Sequence, residues 1–401
     1  RLEHDYAQVP ALAGRSSDRR NLEMAGLQQK NCKGVIATTN DAHVNLTIAI
    51  TVKLLRPELT VVARSENQRV SDNMASFGTD SIVDPYRIFS ERLALALGSP
   101  VKYLVQDWLI SVPGSELREV LKPPTGRWII CGVGRFGARM VDQLEKCDLP
   151  VTVVDVHPGR LPPYKNAVLG RGTEAHTLEE AGVDTAVGII AATGDDIDNL
   201  SILMTARQLN PRLFIIARQE RRQHNELFDS SGADLVARRS LIVARRILSV
   251  VTTPLLHSFM DHLIRSNDEF AERIAARLQG VLQNRAPNIW VIELQDEIAD
   301  SLRFALQKTS RVQLEHITRS SRSEDKEPLP CVCLTLERGA QRLFLPGPET
   351  DLQINDRLLF AGRAHAQRQM LWTLLDSHSL IGNITGKQLP RGALWRWLSE
   401  R

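Results

Sequence analysis

The chain aligns with itself. GRSSDRRNLEMAGL, from Gly14 to Leu27, matches GRGTEAHTLEEAGV, from Gly170 to Val183, at an offset of 156. After a two-residue slip, Gly34 to Leu46 matches Gly188 to Leu200 at an offset of 154. The same offset pairs Pro57 with Pro211, Ala63-Arg64 with Ala217-Arg218, and Gly78 with Gly232. Two copies of one module therefore lie in tandem, and whatever folds one must fold the other. In the second copy, continuous apolar runs at 187–192 and 213–217 read as buried strands. Between them, 198–209 carries apolar residues at helical spacing and ends before Pro211. Alternating helices and fully apolar strands predict a doubly wound parallel sheet covered on both faces.

The second copy also has a beginning that the first lacks. Residues 126–155 read RWIICGVGRFGARMVDQLEKCDLPVTVVDV. An apolar run (128–131) ends at Gly132-Val-Gly134-Arg135-Phe136-Gly137, a helical segment follows, and a second apolar run closes on Asp155-Val156. That order of strand, glycine turn, helix, strand and acid is what a dinucleotide site requires. Gly132 permits the turn, Gly134 lets backbone approach a pyrophosphate, and Gly137 lets helix and strand pack closely. The anion sits at the helix N-terminus, where amides and the macrodipole favour it. Asp155 is positioned to accept from a ribose diol, and its charge disfavours a 2′-phosphate and hence NADP. Arg135 offers donors suited to phosphate oxygens, with a surface salt bridge as its other reading.

Further candidates follow strand ends, where open α/β sheets bind ligands. They are Thr193, Gly194, Asp195 and Asn199, with Thr39, Asp41 and Asn45 as first-copy counterparts. Helix capping competes for Asn199. Arg218 and Arg64 end equivalent strands and face one crevice, suited to ligand contact or to structural pairing. Asp195-Asp196 is also a weak candidate for a divalent cation.

Composition narrows the classes. The formal charge is +3, too small to suggest a nucleic-acid partner. No apolar run approaches the roughly 20 residues of a membrane-spanning helix. Five cysteines (Cys32, Cys131, Cys147, Cys331, Cys333) fit a reducing compartment. Cys331 and Cys333 share a strand face, but nothing nearby completes a metal site. The first residue is Arg1, not Met, and only about a dozen residues precede Gly14, so a truncated first copy is the expectation, with a natively degenerate first copy as the other reading. Helical stretches follow each copy, from Pro85 to Leu109 and from Arg239 to Leu282, the latter broken at Pro254. Pro123-Pro124-Thr125-Gly126 reads as a tight linker. From Ile289 onward, short strands are expected at 290–294, 312–317, 331–336, 343–345 and 358–360, then a helix at 364–375. The tail Leu394-Trp395-Arg396-Trp397-Leu398 suits local docking, or contact with a membrane or partner.

Together, GVGRFG (132–137), VVDV (153–156), GRGTEAHTLEEAGV (170–183), IIAATGDDIDNL (189–200), LNPRLFIIAR (209–218) and LQINDRLLFAG (352–362) resemble the regulator of K⁺ conductance family, or TrkA-N domains. The last stretch resembles the strand pair closing the family's C-terminal lobe. The resemblance implies tandem Rossmann-like sheets, the first incomplete, plus a small α+β lobe. The implied bounds are a first N-lobe with crossover helices (1–122), a complete second N-lobe (126–250), crossover helices (251–285), a C-lobe (286–366), and a terminal helix and tail (367–401). It further implies a non-enzymatic sensor at the cytoplasmic face of the plasma membrane, forming homo-oligomers through the crossover helices. Dimers would build a gating ring attached to a membrane K⁺ pore. The ligand is NAD(H) or another adenine nucleotide (ATP, ADP, AMP), with a divalent cation as a further candidate. Gly172 and Thr173 fall where the family places small and acidic residues near adenine, but Arg171 replaces the acid. Two other readings stand beside this one: a freestanding peripheral subunit of a K⁺ uptake or antiport system, and an NAD-dependent oxidoreductase. No histidine constellation supports the second.

Overall fold

The computed structural model describes residues 10–117, 121–321 and 326–386. The chain divides into two compact units, one formed by residues 1–98 and 122–250 and the other by 99–121 and 251–401. The predicted tail motif at 394–398 lies outside the described residues.

The first unit holds both modules. The first module runs α1 (Arg19–Met24), β1 (Gly34–Ala37), α2 (Ala42–Leu55), β2 (Thr60–Arg64), α3 (Gln68–Ser76), β3 (Ser81–Val83) and α4 (Pro85–Gly98). Its three strands are parallel in the order β1-β2-β3. Helix α5 (Pro100–Ile110) belongs to the second unit. The chain leaves this unit after Gly98, where Pro100 opens a new helix.

The second module adds β4 (Trp128–Cys131), α6 (Arg135–Lys146), β5 (Val151–Asp155), β6 (Ala167–Leu169) and α7 (Ala175–Glu180). It continues with β7 (Gly188–Ala191), α8 (Asp196–Leu209), β8 (Phe214–Gln219), α9 (Asn225–Ser230), β9 (Leu235–Arg238) and α10 (Arg239–Thr252). Its six strands run parallel in the order β6-β5-β4-β7-β8-β9. This is the doubly wound sheet the apolar runs predict. Alternate residues divide between two cores. Ile129, Cys131, Ile189, Ala191 and Ile215 face α7 and α8, whereas Trp128, Ile130, Val153, Ile190 and Ile216 face α6. Burial on both faces is why these strands read as unbroken hydrophobic runs.

The repeat is exact in its bonding. Asn45 Oδ1 accepts from the Thr39 amide at 2.9 Å and its hydroxyl at 2.8 Å, while Nδ2 donates to the Thr39 and Arg64 carbonyls at 3.0 and 2.9 Å. Asn199 makes the same four bonds to Thr193 and Arg218. Asp80 and Asp234 each accept from a strand amide at 2.7 Å. The helical counterpart extends further than the sequence match, since Pro100 and Pro254 each begin a helix.

The second unit comprises α5, α11 (Pro254–Arg265), α12 (Asp268–Leu282), β10 (Asn288–Glu293), α13 (Asp296–Lys308), α14 (Leu314–Ile317), β11 (Cys331–Arg338), β12 (Gln341–Phe344), β13 (Arg357–Gly362), α15 (Ala364–Leu375) and α16 (Ser377–Thr385). Its antiparallel sheet has the order β10-β13-β11-β12. Phe259, Leu263 and Leu278 pack with Leu334 and Leu359, and Leu302, Met370 and Leu380 pack with Phe360 and Leu336. The expected strand at 312–317 is instead a helical turn: Gln313 and His316 form a reciprocal cap, and Leu314 and Ile317, three apart, both turn inward. The expected strand pair in 352–362 is one strand, β13, preceded by a turn at Asn355 (φ 71). Among the described residues, no single helix is long and apolar enough to cross a membrane.

Candidate functional site

The glycine turn lies at the carboxyl end of β4, between the ends of β5 and β7. Gly132 has φ +96, and a Cβ there would come 3.1 Å from the Thr193 backbone. At Gly137 a Cβ would meet the Gly132 carbonyl at 1.9 Å, so only glycine lets α6 approach β4 this closely. Gly134 is different: a Cβ there meets nothing within 4 Å. It is the N-cap residue of α6 and supplies no side-chain acceptor to the first turn. An uncapped helix N-terminus facing open space has the geometry of an anion cradle.

Asp155 ends β5 beside that cradle and is buried. Its Oδ2 accepts from the Val133 amide and its Oδ1 from the His157 amide, both at 2.8 Å. Arg160 lies 3.6 Å away. The carboxylate thus holds the turn in place. Val156, next in sequence, is exposed. Gly172 packs so closely that a Cβ would strike the Cys131 sulfur at 2.7 Å, and the Thr173 carbonyl accepts from the Thr205 hydroxyl at 3.2 Å. Gly194, like Gly134, faces open space.

Some predicted ligands have structural duties. Asn199 is wholly buried with both side-chain ends engaged, so it neither caps α8 nor offers a free polar atom. Asp195 is the cap, accepting from the Ile197 and Asp198 amides at 2.8 and 3.1 Å. Those amides hold its carboxyl below the ordinary aspartate range. Asp196 accepts from the Glu220 and Arg221 amides at 2.7 and 2.9 Å and lies 2.8 Å from His224 Nδ1. Among the described residues, no group of three or more His, Cys, Asp or Glu side chains is arranged for a metal ion. The Cys331 thiol is pushed up to about 12, and Cys333 is also raised, both chiefly by burial. The Phe136 ring is wholly buried against Tyr86 and Phe89 of α4, with centroids 5.5 and 5.7 Å apart, so only its backbone belongs to the turn.

That packing brings the first module onto the site. Arg218 donates to the Tyr86 hydroxyl at 2.7 Å and to Glu220 at 2.7 Å, and its guanidinium lies 5.0 Å from the Tyr86 ring centre. Arg139 of α6 reaches Asp84 at 3.4 Å. Arg135 Nη1 lies 3.2 Å from Glu66 Oε2. Sequence reasoning missed Glu66. The 154-residue offset pairs it with Glu220, a signal that extending the Ala-Arg match by two positions would have exposed.

A glycine turn, an uncapped helix and a buried strand-end acid on a doubly wound sheet place the second module in the Rossmann-like nucleotide-binding class. The family model of the TrkA-N domain matches twice, over residues 2–85 and 128–239. The chain thus carries two TrkA-N domains in tandem. Potassium channel protein 1 of Methanocaldococcus jannaschii is 24% identical over 164 residues, covering 39% of this chain and 49% of that protein. Probable potassium channel protein 2 of the same organism is 27% identical over 170 residues, covering 40% and 50%. The chain spans about half the length of these relatives. A Trk system potassium uptake protein TrkA homolog of Methanothermobacter thermautotrophicus is 30% identical over 132 residues, covering 31% and 60%. The fold also matches a crystal structure of the GsuK RCK domain, with TM-score 0.51 and 18% identity over 93% of this chain and 86% of that one. The GsuK channel bound to NAD matches with TM-score 0.51 and 18% identity, over 92% and 72%.

Proposed function

We propose that this chain is a regulatory domain that binds an adenine nucleotide at the second module's glycine turn and biases a potassium-transport pathway. One observation carries the nucleotide reading: the uncapped N-terminus of α6 opens at Gly134 beside an Asp155 already pinned by two amides. Phosphate would lie on the α6 amides with Arg135, and ribose against Asp155. Gly172, Thr173 and Gly194 would border the base and nicotinamide sides. NAD(H), ATP, ADP and AMP share the adenosine phosphate this arrangement suits. Asp155 sets it against NADP.

Relatives named as potassium channels and as a potassium uptake protein support the transport assignment. On this reading the chain works at the cytoplasmic face of a membrane, in homo-oligomers built through its crossover helices, beneath a pore. The ligand acts by its differential affinity for two conformations. Here the seam is internal, because α4 of the first module already grips α6 of the second through Tyr86, Phe89 and Phe136.

Calorimetry with NADH, ATP and AMP tests the site. Binding to the wild-type chain that disappears in Gly134→Val, with circular dichroism unchanged, is the expected result. Unchanged affinity in that variant places the pocket elsewhere.

A further inference from the structure

The seam between the two modules carries more positive charge than its carboxylates neutralise. Glu66 is almost sealed, its side chain only 5% exposed. It is approached by Arg64 of its own module, by Arg239 at 3.6 Å and by Arg135 at 3.2 Å. Arg239 also reaches Glu220 at 3.1 Å, and Glu220 holds Arg218. Arg64, Arg135, Arg218 and Arg239 thus share Glu66 and Glu220, leaving a net positive seam at the mouth of the glycine turn. The four are not equally held. The side chains of Arg64, Arg218 and Arg239 are 9, 13 and 22% exposed, whereas Arg135 is 66% exposed. Arg135 is the member free to turn, and it is the first residue of α6, immediately after the open Gly134.

We propose that Glu66, contributed by the first module, is an affinity- and specificity-determining residue of the second module's nucleotide site. It competes with nucleotide phosphate for Arg135. The inference rests on the nucleotide reading above and adds a residue and a direction to it. A guanidinium presents the same donor fork to a carboxylate and to a phosphate, so the two anions are direct rivals. When phosphate takes Arg135, Glu66 keeps Arg64 and Arg239 and is never left as an uncompensated buried charge. The exchange is therefore cheap enough to be reversible. It also registers occupancy at the end of β2, in the other module. Glu66 discriminates by charge, since its fixed negative charge opposes ligands with more phosphate more strongly.

The test is calorimetry of AMP, ADP, ATP and NADH on the full chain, as wild type, Glu66→Gln, Arg135→Gln and the double variant. Glu66→Gln should tighten binding by roughly fivefold, the size of one partly exposed charge contact. The gain should be larger for ATP than for AMP. In the Arg135→Gln background, the second substitution should change affinity by less than about twofold. Hydrogen exchange on the wild-type chain covers the case in which Glu66→Gln does not fold: saturating ATP should raise exchange over residues 64–68. Unchanged or weaker binding in Glu66→Gln, an equal effect without Arg135, or unaltered exchange over 64–68 each overturns the proposal. If nucleotide binds and Gly134→Val abolishes it while Glu66→Gln is inert, only the role of Glu66 fails. If no nucleotide binds the wild type, the nucleotide reading fails and takes this inference with it.

Discussion

The Tyr86 hydroxyl accepts a hydrogen bond from Arg218 at 2.7 Å and donates to Glu220 at 3.3 Å, joining the start of α4 to the end of β8. The two residues belong to different copies of the repeat, and the contact lies beside the Phe136 ring, whose centre is 5.9 Å from the Arg218 guanidinium. Burial raises the phenol above its ordinary range, so it stays protonated and can serve both partners.

Tyr86→Phe keeps the ring packing and deletes both hydroxyl contacts, and should cost about 1–2 kcal/mol. Phe136→Ala removes a buried ring shared by both modules, and should cost about 3–5 kcal/mol. Urea titrations of the two variants, followed by tryptophan fluorescence, give the comparison. Equal midpoints would show that the hydroxyl and the ring do not differ in this way.

The glycines of the turn should separate cleanly. Gly137→Ala drives a Cβ to 1.9 Å from the Gly132 carbonyl and forces α6 off β4; a loss of about 3 kcal/mol or more is expected. Gly134→Ala enters empty space at an ordinary φ of −68, so its stability should stay within about 0.5 kcal/mol of wild type. Thermal melts decide it, and a Gly134→Ala protein as unstable as Gly137→Ala would contradict the geometry.

Acid should loosen the second unit through two histidines. Burial holds His316 and His262 below the ordinary histidine range. His316 Nδ1 accepts the Gln313 amide at 2.9 Å, which a protonated ring cannot do, and His262 stacks on Phe344 at 3.8 Å. With a folded value below the unfolded one, the unfolded chain takes up the proton first. The contribution is then whole above about pH 6.5 and is lost as pH falls through the depressed values. The melting temperature should hold above about pH 6.5 and fall as the pH drops below it, and His316→Asn should flatten that slope. An unchanged slope in the variant would remove His316 from the account.

What the sequence revealed, and what it hid, follows from distance along the chain. The glycine turn, Asp155 and the parallel, doubly covered strands are local or periodic features, and they were legible because each is written within about thirty residues. The repeat was legible because it recurs at one offset. Glu66 and Arg135 are 69 positions apart in sequence, and nothing in either segment names the other. Phe136 looked like part of a ligand loop because its ring's destination, α4, lies upstream in another module. Asn199 was ambiguous for a different reason: a buried amide with four bonds and a ligand-binding amide have the same sequence signature. The 312–317 stretch misled by alternation, since Val312 and Leu314 suit a strand until Gln313 and His316 close a cap.

The two amides on Asp155 mean that its carboxylate is already fixed in the chain by itself. On the proposed reading, a nucleotide need not organise the carboxylate, so little ordering entropy opposes its binding. The same tethering makes Asp155 a poor place for truncation, because alanine would unmoor Val133 and His157 along with the acceptor. Asparagine, which retains one oxygen for one of those amides, separates the scaffold from the sensor.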